Sequence, residues 1–147
     1  MEPIIDHIQI TVQDLDAAVE FYDRLMPLLG FDLSQKGSAE IEKHDFRVVE
    51  YSHPKLAFAL TSPREKFKDT EVHRRRPGSL HHLAFRAESR DEVDSLFVEI
   101  KKIGATIVTP PKEYPEYVPK GYYALFFKDP QGIKYEIVHA PHSESEA

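Results

Sequence analysis

The chain has 147 residues, no cysteine and a formal net charge of -6 at pH 7, which suits one domain with a hydrophobic core and excludes disulfides, thiolate metal ligands and a cysteine nucleophile. The acidic balance argues against a nucleic-acid partner, because proteins that bind nucleic acid are usually basic. The start of the chain lacks the pattern of a signal peptide, and no apolar run approaches the roughly 18 residues of a membrane helix, so we expect a cytoplasmic protein without a membrane partner.

The first stretch of the chain predicts a strand followed by a helix. The sequence HIQITV, from His7 to Val12, alternates polar and apolar residues, which is typical of a strand with two unlike faces. Asp14 is suited to cap the helix that follows, because its carboxylate accepts hydrogen bonds from free backbone N–H groups. Apolar residues then recur every three or four positions up to Gly30, which is placed to end the helix. Three more strand-like runs follow, at 31–35, 46–52 and 56–61.

A second copy of this pattern starts at residue 80. The sequence LHHLAFRAESRDEVDSLFVEI lies 75 positions after IDHIQITVQDLDAAVEFYDRL, and this offset pairs strand with strand and helix with helix. Ser89 and Glu92 form an S-x-x-E capping box for the second helix, and Gly104 closes that helix. Strand-like runs follow at 106–109, 122–128 and 134–139.

The repeat predicts an α+β fold of two βαβββ modules within a single domain over 1–147. The modules span 4–62 and 80–140, and a polar linker at 63–79 joins them. Each helix should cover one face of its four-stranded sheet and leave the other face to line a concavity. The linker contains an arginine run, at 74–76, that would suit an anion, although a short charge run is more often a solvated surface.

Strand alternation selects the polar residues that should share the open faces. The apolar residues of the first strand must face the helix, so His7 and Gln9 are expected on the opposite side. At the offset of 75 residues His7 coincides with His82. His82 and Arg86 should therefore face the concavity, and His81 should face away from it.

A carboxylate on the last strand completes a set of possible metal ligands. Glu136 lies between Tyr135 and Ile137, and a carboxylate at such a position is costly to bury without a partner. Two histidines, His7 and His82, together with one carboxylate suit a divalent metal ion such as Fe, Mn, Zn or Ni and leave coordination positions open. The sequence therefore predicts one divalent metal per site.

Four further residues are predicted to contact a small-molecule substrate. Gln9, Arg86 and Lys134 share the concave side by alternation, although any of them would equally suit the solvent mouth of the site. Arg47 lies on the third strand of the first module, and its facing is ambiguous. Arg86 and Lys134 would make the site positive inside an acidic protein, so we expect an anionic substrate.

The sequence resembles the vicinal oxygen chelate superfamily, which includes glyoxalase I, type I extradiol dioxygenases, and the fosfomycin- and bleomycin-resistance proteins. The matching segments are DHIQITVQDLDAAVEFYDRLMPLLGF, GSLHHLAF and FKDPQGIKYEIV. The resemblance implies a half-open barrel around a metal that is held by His7, His82 and Glu136. It implies a metal-dependent lyase, dioxygenase or resistance-type transferase, and a homodimer as the working unit.

Some positions depart from the known branches of this family. The last strand of the first module, KLAFALTSP, lacks the fourth metal ligand of glyoxalase I. Phe126 occupies the place of a tyrosine in extradiol dioxygenases, so Tyr122 or Tyr123 would have to replace it, and we expect Tyr123 to act in catalysis with Glu136. The alternative function is a metal-free protein that sequesters a small molecule, as bleomycin-resistance proteins do. The tyrosines near the Pro-rich loop would suit a lid or plain packing; they are Tyr114, Tyr117, Tyr122 and Tyr123.

Overall fold

A computed structural model describes residues 1–118 and 120–141. The chain divides into two compact units, Met1–Glu71 and Val72–Ala147. Each unit contains one long helix and one four-stranded mixed sheet. The fold is therefore α+β with two βαβββ modules, as the repeat predicts.

The first unit consists of β1 (His7–Thr11), α1 (Leu15–Leu28), β2 (Asp32–Ile41), β3 (Phe46–His53) and β4 (Leu56–Thr61). The strands are ordered β1-β4-β3-β2. β1 runs parallel to β4, and the other neighbours are antiparallel.

Helix α1 begins and ends where its sequence provides caps. The side chain of Asp14 accepts a hydrogen bond from the backbone N–H of Ala17. Pro27 lies in the last turn, and Gly30 follows with a φ of 92°, a conformation that glycine adopts without strain. The buried face of the helix packs toward the sheet; its members are Leu15, Ala18, Phe21, Tyr22, Leu25 and Met26.

The second unit repeats the order with β5 (Leu83–Arg86), α2 (Arg90–Lys102), β6 (Thr106–Glu113), β7 (Tyr123–Lys128) and β8 (Lys134–His139). The strands are ordered β5-β8-β7-β6, and β5 runs parallel to β8. The side chain of Ser89 caps α2 by accepting from the backbone N–H of Glu92.

The two faces of the second sheet carry different residues. Leu125, Phe127, Tyr135 and Ile137 are buried, and their strands contact α2. The residues between them in sequence point to the opposite face because side chains alternate along a strand. A second aromatic cluster, built around Phe126, occupies that opposite face.

β6 is the edge strand of the second sheet, and its pairing with β7 is irregular. The register shifts between Ile107 and Thr109 and again between Thr109 and Lys112. Pro110 and Pro111 fall inside the second shift, where a missing backbone N–H costs the ladder least.

The observed elements match the predicted ones closely. β2 is longer than the predicted run at 31–35 and extends to Ile41. The boundary between the two units falls within the segment predicted as a linker, and a short 3-10 turn occupies Glu65–Phe67. None of the helices within residues 1–118 and 120–141 has the length and apolar character required to cross a bilayer.

Candidate functional site

The second unit contains a cavity of about 430 Å³ on the side of its sheet that carries Phe126. Its titratable residues come mainly from β8 and from the segment just before β5. Aromatic residues from β7 and the preceding loop line much of the remainder. The lining residues are His81, His82, Thr109, Lys112, Tyr114, Tyr117, Tyr122, Phe126, Lys134 and Glu136.

Glu136 is the most deeply buried charged group of this cavity. It lies on β8 opposite Ala84 of β5 and Phe126 of β7, and only 2% of the residue is exposed. The hydroxyl of Tyr122 donates a hydrogen bond to its Oε2 atom. Burial, followed by this hydrogen bond, raises the pKa of Tyr122, so the phenol stays protonated and remains a donor.

The other carboxylate oxygen of Glu136 faces an imidazole nitrogen. Nε2 of His82 lies 3.6 Å from Oε1 of Glu136, which is too long for a good hydrogen bond. Nδ1 of His82 is already occupied, since it lies 2.7 Å from Nδ1 of His81. Nε2 of His82 and Oε1 of Glu136 therefore face each other, and each of these atoms could bind a metal ion.

His81 was predicted to face away from the concavity, and this prediction is wrong. Both histidines line the cavity, and their ring centroids are 5.0 Å apart. They precede β5, which begins at Leu83, so strand alternation does not apply to them. Desolvation lowers the pKa of His81, and the charges of His82 and Lys134 lower it further.

Tyr123, which was expected to act in catalysis, is not among the described residues that line the cavity, whereas Tyr122 is. The hydroxyl of Tyr123 donates to Asp94 of α2 at 2.6 Å, and the guanidinium of Arg90 lies over its ring. Since Phe126 faces the cavity, alternation along β7 places Tyr123 on the helix side. No observation tests a catalytic role for either tyrosine.

Of the two basic residues predicted for the concave side, one lines the cavity and the other does not. Lys134 lines the cavity, with its ammonium 4.8 Å from the centroid of the Phe126 ring. Arg86 is exposed on β5 and is not one of the described residues that line the cavity.

His7 and Gln9 both belong to β1 of the first unit. Nδ1 of His7 lies 2.6 Å from Oδ1 of Asp6, and 57% of the His7 side chain is exposed. The amide of Gln9 donates to the hydroxyl of Thr61 at 2.5 Å. The structure thus gives both residues local partners on or beside β1.

Arg47 lines a separate cavity of about 360 Å³ in the first unit. Its guanidinium donates to the carboxylate of Asp16 at 3.0 Å. The pKa of Asp16 is lowered, first by this hydrogen bond and then by the charge of Arg47. Acidic residues dominate the remaining lining, which does not suit an anionic substrate.

Several lining residues were not predicted from the sequence. Lys112 and Thr109 lie around the register shifts of β6. The sequence singled out Phe126 only because it stands where extradiol dioxygenases have a tyrosine. Tyr114 and Tyr117 were recognised as lid or packing residues, and the structure places both in the cavity wall. Alternation from Phe126 was the available signal that favoured Tyr122 over Tyr123.

Three ligands of one metal are not found together in the described structure. In residues 1–118 and 120–141, no three His, Asp or Glu side chains form a group that would hold a metal ion. The second unit contributes the facing pair His82 and Glu136, and His7 belongs to the first unit.

Comparison with known proteins assigns the family. The chain is 32% identical over 132 residues to the uncharacterized protein YqjT of Bacillus subtilis strain 168, covering 90% of this chain and 95% of the relative. Its structure is similar to that of a glyoxalase candidate from Bacillus halodurans, with 30% identity, a TM-score of 0.73 and coverage of 95% and 97% of the two chains. It is also similar to a glyoxylase/bleomycin resistance protein/dioxygenase domain from Frankia sp. EAN1pec, with 24% identity, a TM-score of 0.74 and coverage of 95% and 98%. A sequence profile of the glyoxalase/bleomycin resistance protein/dioxygenase superfamily matches residues 4–137, and the chain belongs to this superfamily.

Proposed function

We propose that the protein is a metal-dependent enzyme of the glyoxalase/dioxygenase type that acts on a small anionic substrate. The observation that carries this proposal is the facing pair of free donor atoms, Nε2 of His82 and Oε1 of Glu136, at 3.6 Å. Imidazole nitrogen and carboxylate oxygen together suit Fe, Mn, Zn or Ni.

The geometry of this pair fits a shared cation. Two donors that each lie about 2.1 Å from one ion at a tetrahedral angle are about 3.4 Å apart. A buried carboxylate such as Glu136 also needs positive charge nearby, because the loss of hydration is costly. In this proposal His7 is the third ligand, since its Nδ1 is occupied by Asp6 and its Nε2 is left for coordination.

Two neighbouring residues would hold the ligands in place. Tyr122 restrains Glu136 through Oε2, and His81 restrains His82 through Nδ1. Such hydrogen bonds fix the orientation and tautomer of ligands in metal sites. A bound divalent ion would supply Lewis-acid stabilisation of negative charge on vicinal oxygens of the substrate.

The proposal is tested by metal content and turnover together. Protein reconstituted separately with Fe(II), Mn(II), Zn(II) and Ni(II) should retain about one ion per site after gel filtration with at least one of these metals. The loaded protein is then assayed against catechols, methylglyoxal hemithioacetal and fosfomycin. Absence of retained metal after every reconstitution would contradict the proposal.

A second candidate is a metal-free protein that sequesters a small molecule. The aromatic side chains that line the cavity favour it, because aromatic rings bind flat ligands without any metal. Tight ligand binding that is unchanged by chelators and produces no turnover would support this function over the enzyme.

We also propose a homodimer, in which His7 of one chain joins His82 and Glu136 of the other, and we retain the cytoplasm as the expected location. Closed twofold dimers are the commonest assemblies of small proteins. Inactive His7→Ala protein mixed with inactive Glu136→Ala protein should regain partial activity, because one site of the mixed dimer has all of its ligands. A monomer by light scattering, or no rescue after verified subunit exchange, would rule out the shared site.

A further inference from the structure

The wall of the second-unit cavity is a continuous group of aromatic rings. Tyr114 stacks on Tyr117 with centroids 4.9 Å apart and an interplanar angle of 5°. Tyr122 and Phe126 meet the Tyr114 ring edge-on, with centroid distances of 6.2 and 5.9 Å. We call these four residues the aromatic wall. Such a surface favours flat, unsaturated ligands, because stacked and edge-on ring contacts add to the burial of apolar area.

Two ammonium groups flank the aromatic wall. Nζ of Lys112 lies 4.7 Å from the centroid of Tyr114, and Nζ of Lys134 lies 4.8 Å from that of Phe126. Neither ammonium forms an ion pair with a carboxylate of residues 1–118 or 120–141. Positive charge is therefore available at the cavity, although the chain as a whole carries a net charge of -6.

We propose that the cavity binds a small planar aromatic anion, with its ring on the aromatic wall and its carboxylate or other anionic group toward the flanking ammonium groups of Lys112 and Lys134. The volume of about 430 Å³ lies near the lower end of the range of about 300–1,000 Å³ for ligand sites, which suits a ligand with a single ring. The inference rests on the proposed function only in taking the cavity as the substrate site.

Three probes separate the contributions of ring and charge. Benzoate has both features, cyclohexanecarboxylate has the charge without a flat ring, and benzamide has the ring without the charge. Calorimetric titration of metal-free protein should show benzoate binding at least about tenfold more tightly than either of the others, which corresponds to about 1.4 kcal/mol. Metal-free protein is used so that coordination of the carboxylate by an ion does not contribute.

Variants then assign each contribution to residues. Lys112→Met and Lys134→Met should each weaken benzoate binding about tenfold and leave benzamide binding unchanged, because a charge-assisted hydrogen bond is lost. Lys101→Met is the control, since Lys101 is an exposed cation of α2, on the other side of the second sheet, and should have no effect. Tyr117→Leu should reduce the preference for benzoate over cyclohexanecarboxylate, and the exposure of Tyr117 makes loss of folding an unlikely confounder.

Equal binding of benzoate and cyclohexanecarboxylate, or benzoate binding that survives both Lys112→Met and Lys134→Met, would overturn the inference. Failure of this inference can be told apart from failure of the proposed function. A protein that selects benzoate but retains no metal would sustain this inference and refute the enzyme. A protein that retains metal but does not prefer benzoate would do the reverse.

Discussion

In both units the first strand lies parallel to the fourth, so equivalent positions of the two sheets can be compared directly. Gln9 is opposite Ala59 in the first sheet, whereas Ala84 is opposite Glu136 in the second. The next strand contributes Glu50, which is exposed, to the first sheet, and Phe126 to the second. The two sheets thus share their backbone arrangement, but the polar residue of this pair is exposed in the first sheet, where it is Gln9, and buried in the second, where it is Glu136.

This difference shows that the repeated fold alone does not create a site. A buried acid needs partners, and the second unit places the phenol of Tyr122 and the imidazole of His82 beside Glu136. Function follows from these particular side chains, as is common in folds that serve many reactions.

The largest expected effect comes from removing the charge of the buried acid in the second sheet. Glu136→Gln should weaken metal binding by more than about 100-fold, because a neutral amide replaces the carboxylate of the facing pair. Wild-type protein at a metal concentration of about 100 times its Kd should gain about 2.7 kcal/mol in free energy of unfolding, and the variant should gain less than about 0.4 kcal/mol at the same concentration. Glu50→Gln, the exposed counterpart on the first sheet, is the control, and equal metal affinity in the two variants would contradict the assignment.

The next effect distinguishes the two adjacent histidines. His82→Ala should lose metal, whereas His81→Ala should keep its stoichiometry with an affinity about 10–100-fold lower, since His81 only orients His82. Metal analysis and titration of both variants measure this difference. The assignment would be reversed by a His81→Ala protein that loses metal while His82→Ala retains it.

A smaller effect separates the adjacent tyrosines. Tyr122→Phe removes the hydrogen bond to Glu136 and should lower metal affinity about tenfold. Tyr123→Phe removes a bond to Asp94 on the other face and should change only the free energy of unfolding, by about 1 kcal/mol. Identical metal affinities in these two proteins would show that Tyr122 has no positioning role.

The smallest effect belongs to Arg47 of the first unit. Its hydrogen bond and charge lower the pKa of Asp16, so the folded state binds fewer protons than the unfolded state in acid. This stabilising contribution is present above the ordinary aspartate pKa and is lost as pH falls through the lower folded value. In Arg47→Met the pKa of Asp16, followed by NMR, should rise toward its ordinary value while metal affinity is unchanged. A fall in metal affinity would restore Arg47 to the candidate site.

The elements with clear apolar periodicity were predictable from the sequence. The stripe of α1 specifies which side chains are buried, and the structure agrees. The alternation of β8 separates Tyr135 and Ile137 from Glu136, which lines the cavity, although all three are buried. The end of β2 was not predictable, because KGSAEI has no apolar alternation and every residue before Ile41 is exposed. Backbone pairing with β3, rather than burial, defines that part of the strand.

The site was predictable only where its residues lie within regular strands. Alternation correctly groups Lys134 with Glu136 in the cavity wall. It fails for His81, which lies outside the strand, and it was not applied from Phe126 to the neighbouring tyrosines. Lys112 lies beside a register shift of β6, where no periodic signal indicates the direction of a side chain.

The two prolines of β6 limit how chains of this protein associate. A strand added to a sheet edge requires a row of backbone donors and acceptors, and Pro110 and Pro111 supply no N–H. The register shifts beside them also distort the edge. Fibril growth by strand addition at β6 is therefore disfavoured even in a concentrated solution, and so is any association that pairs two β6 edges.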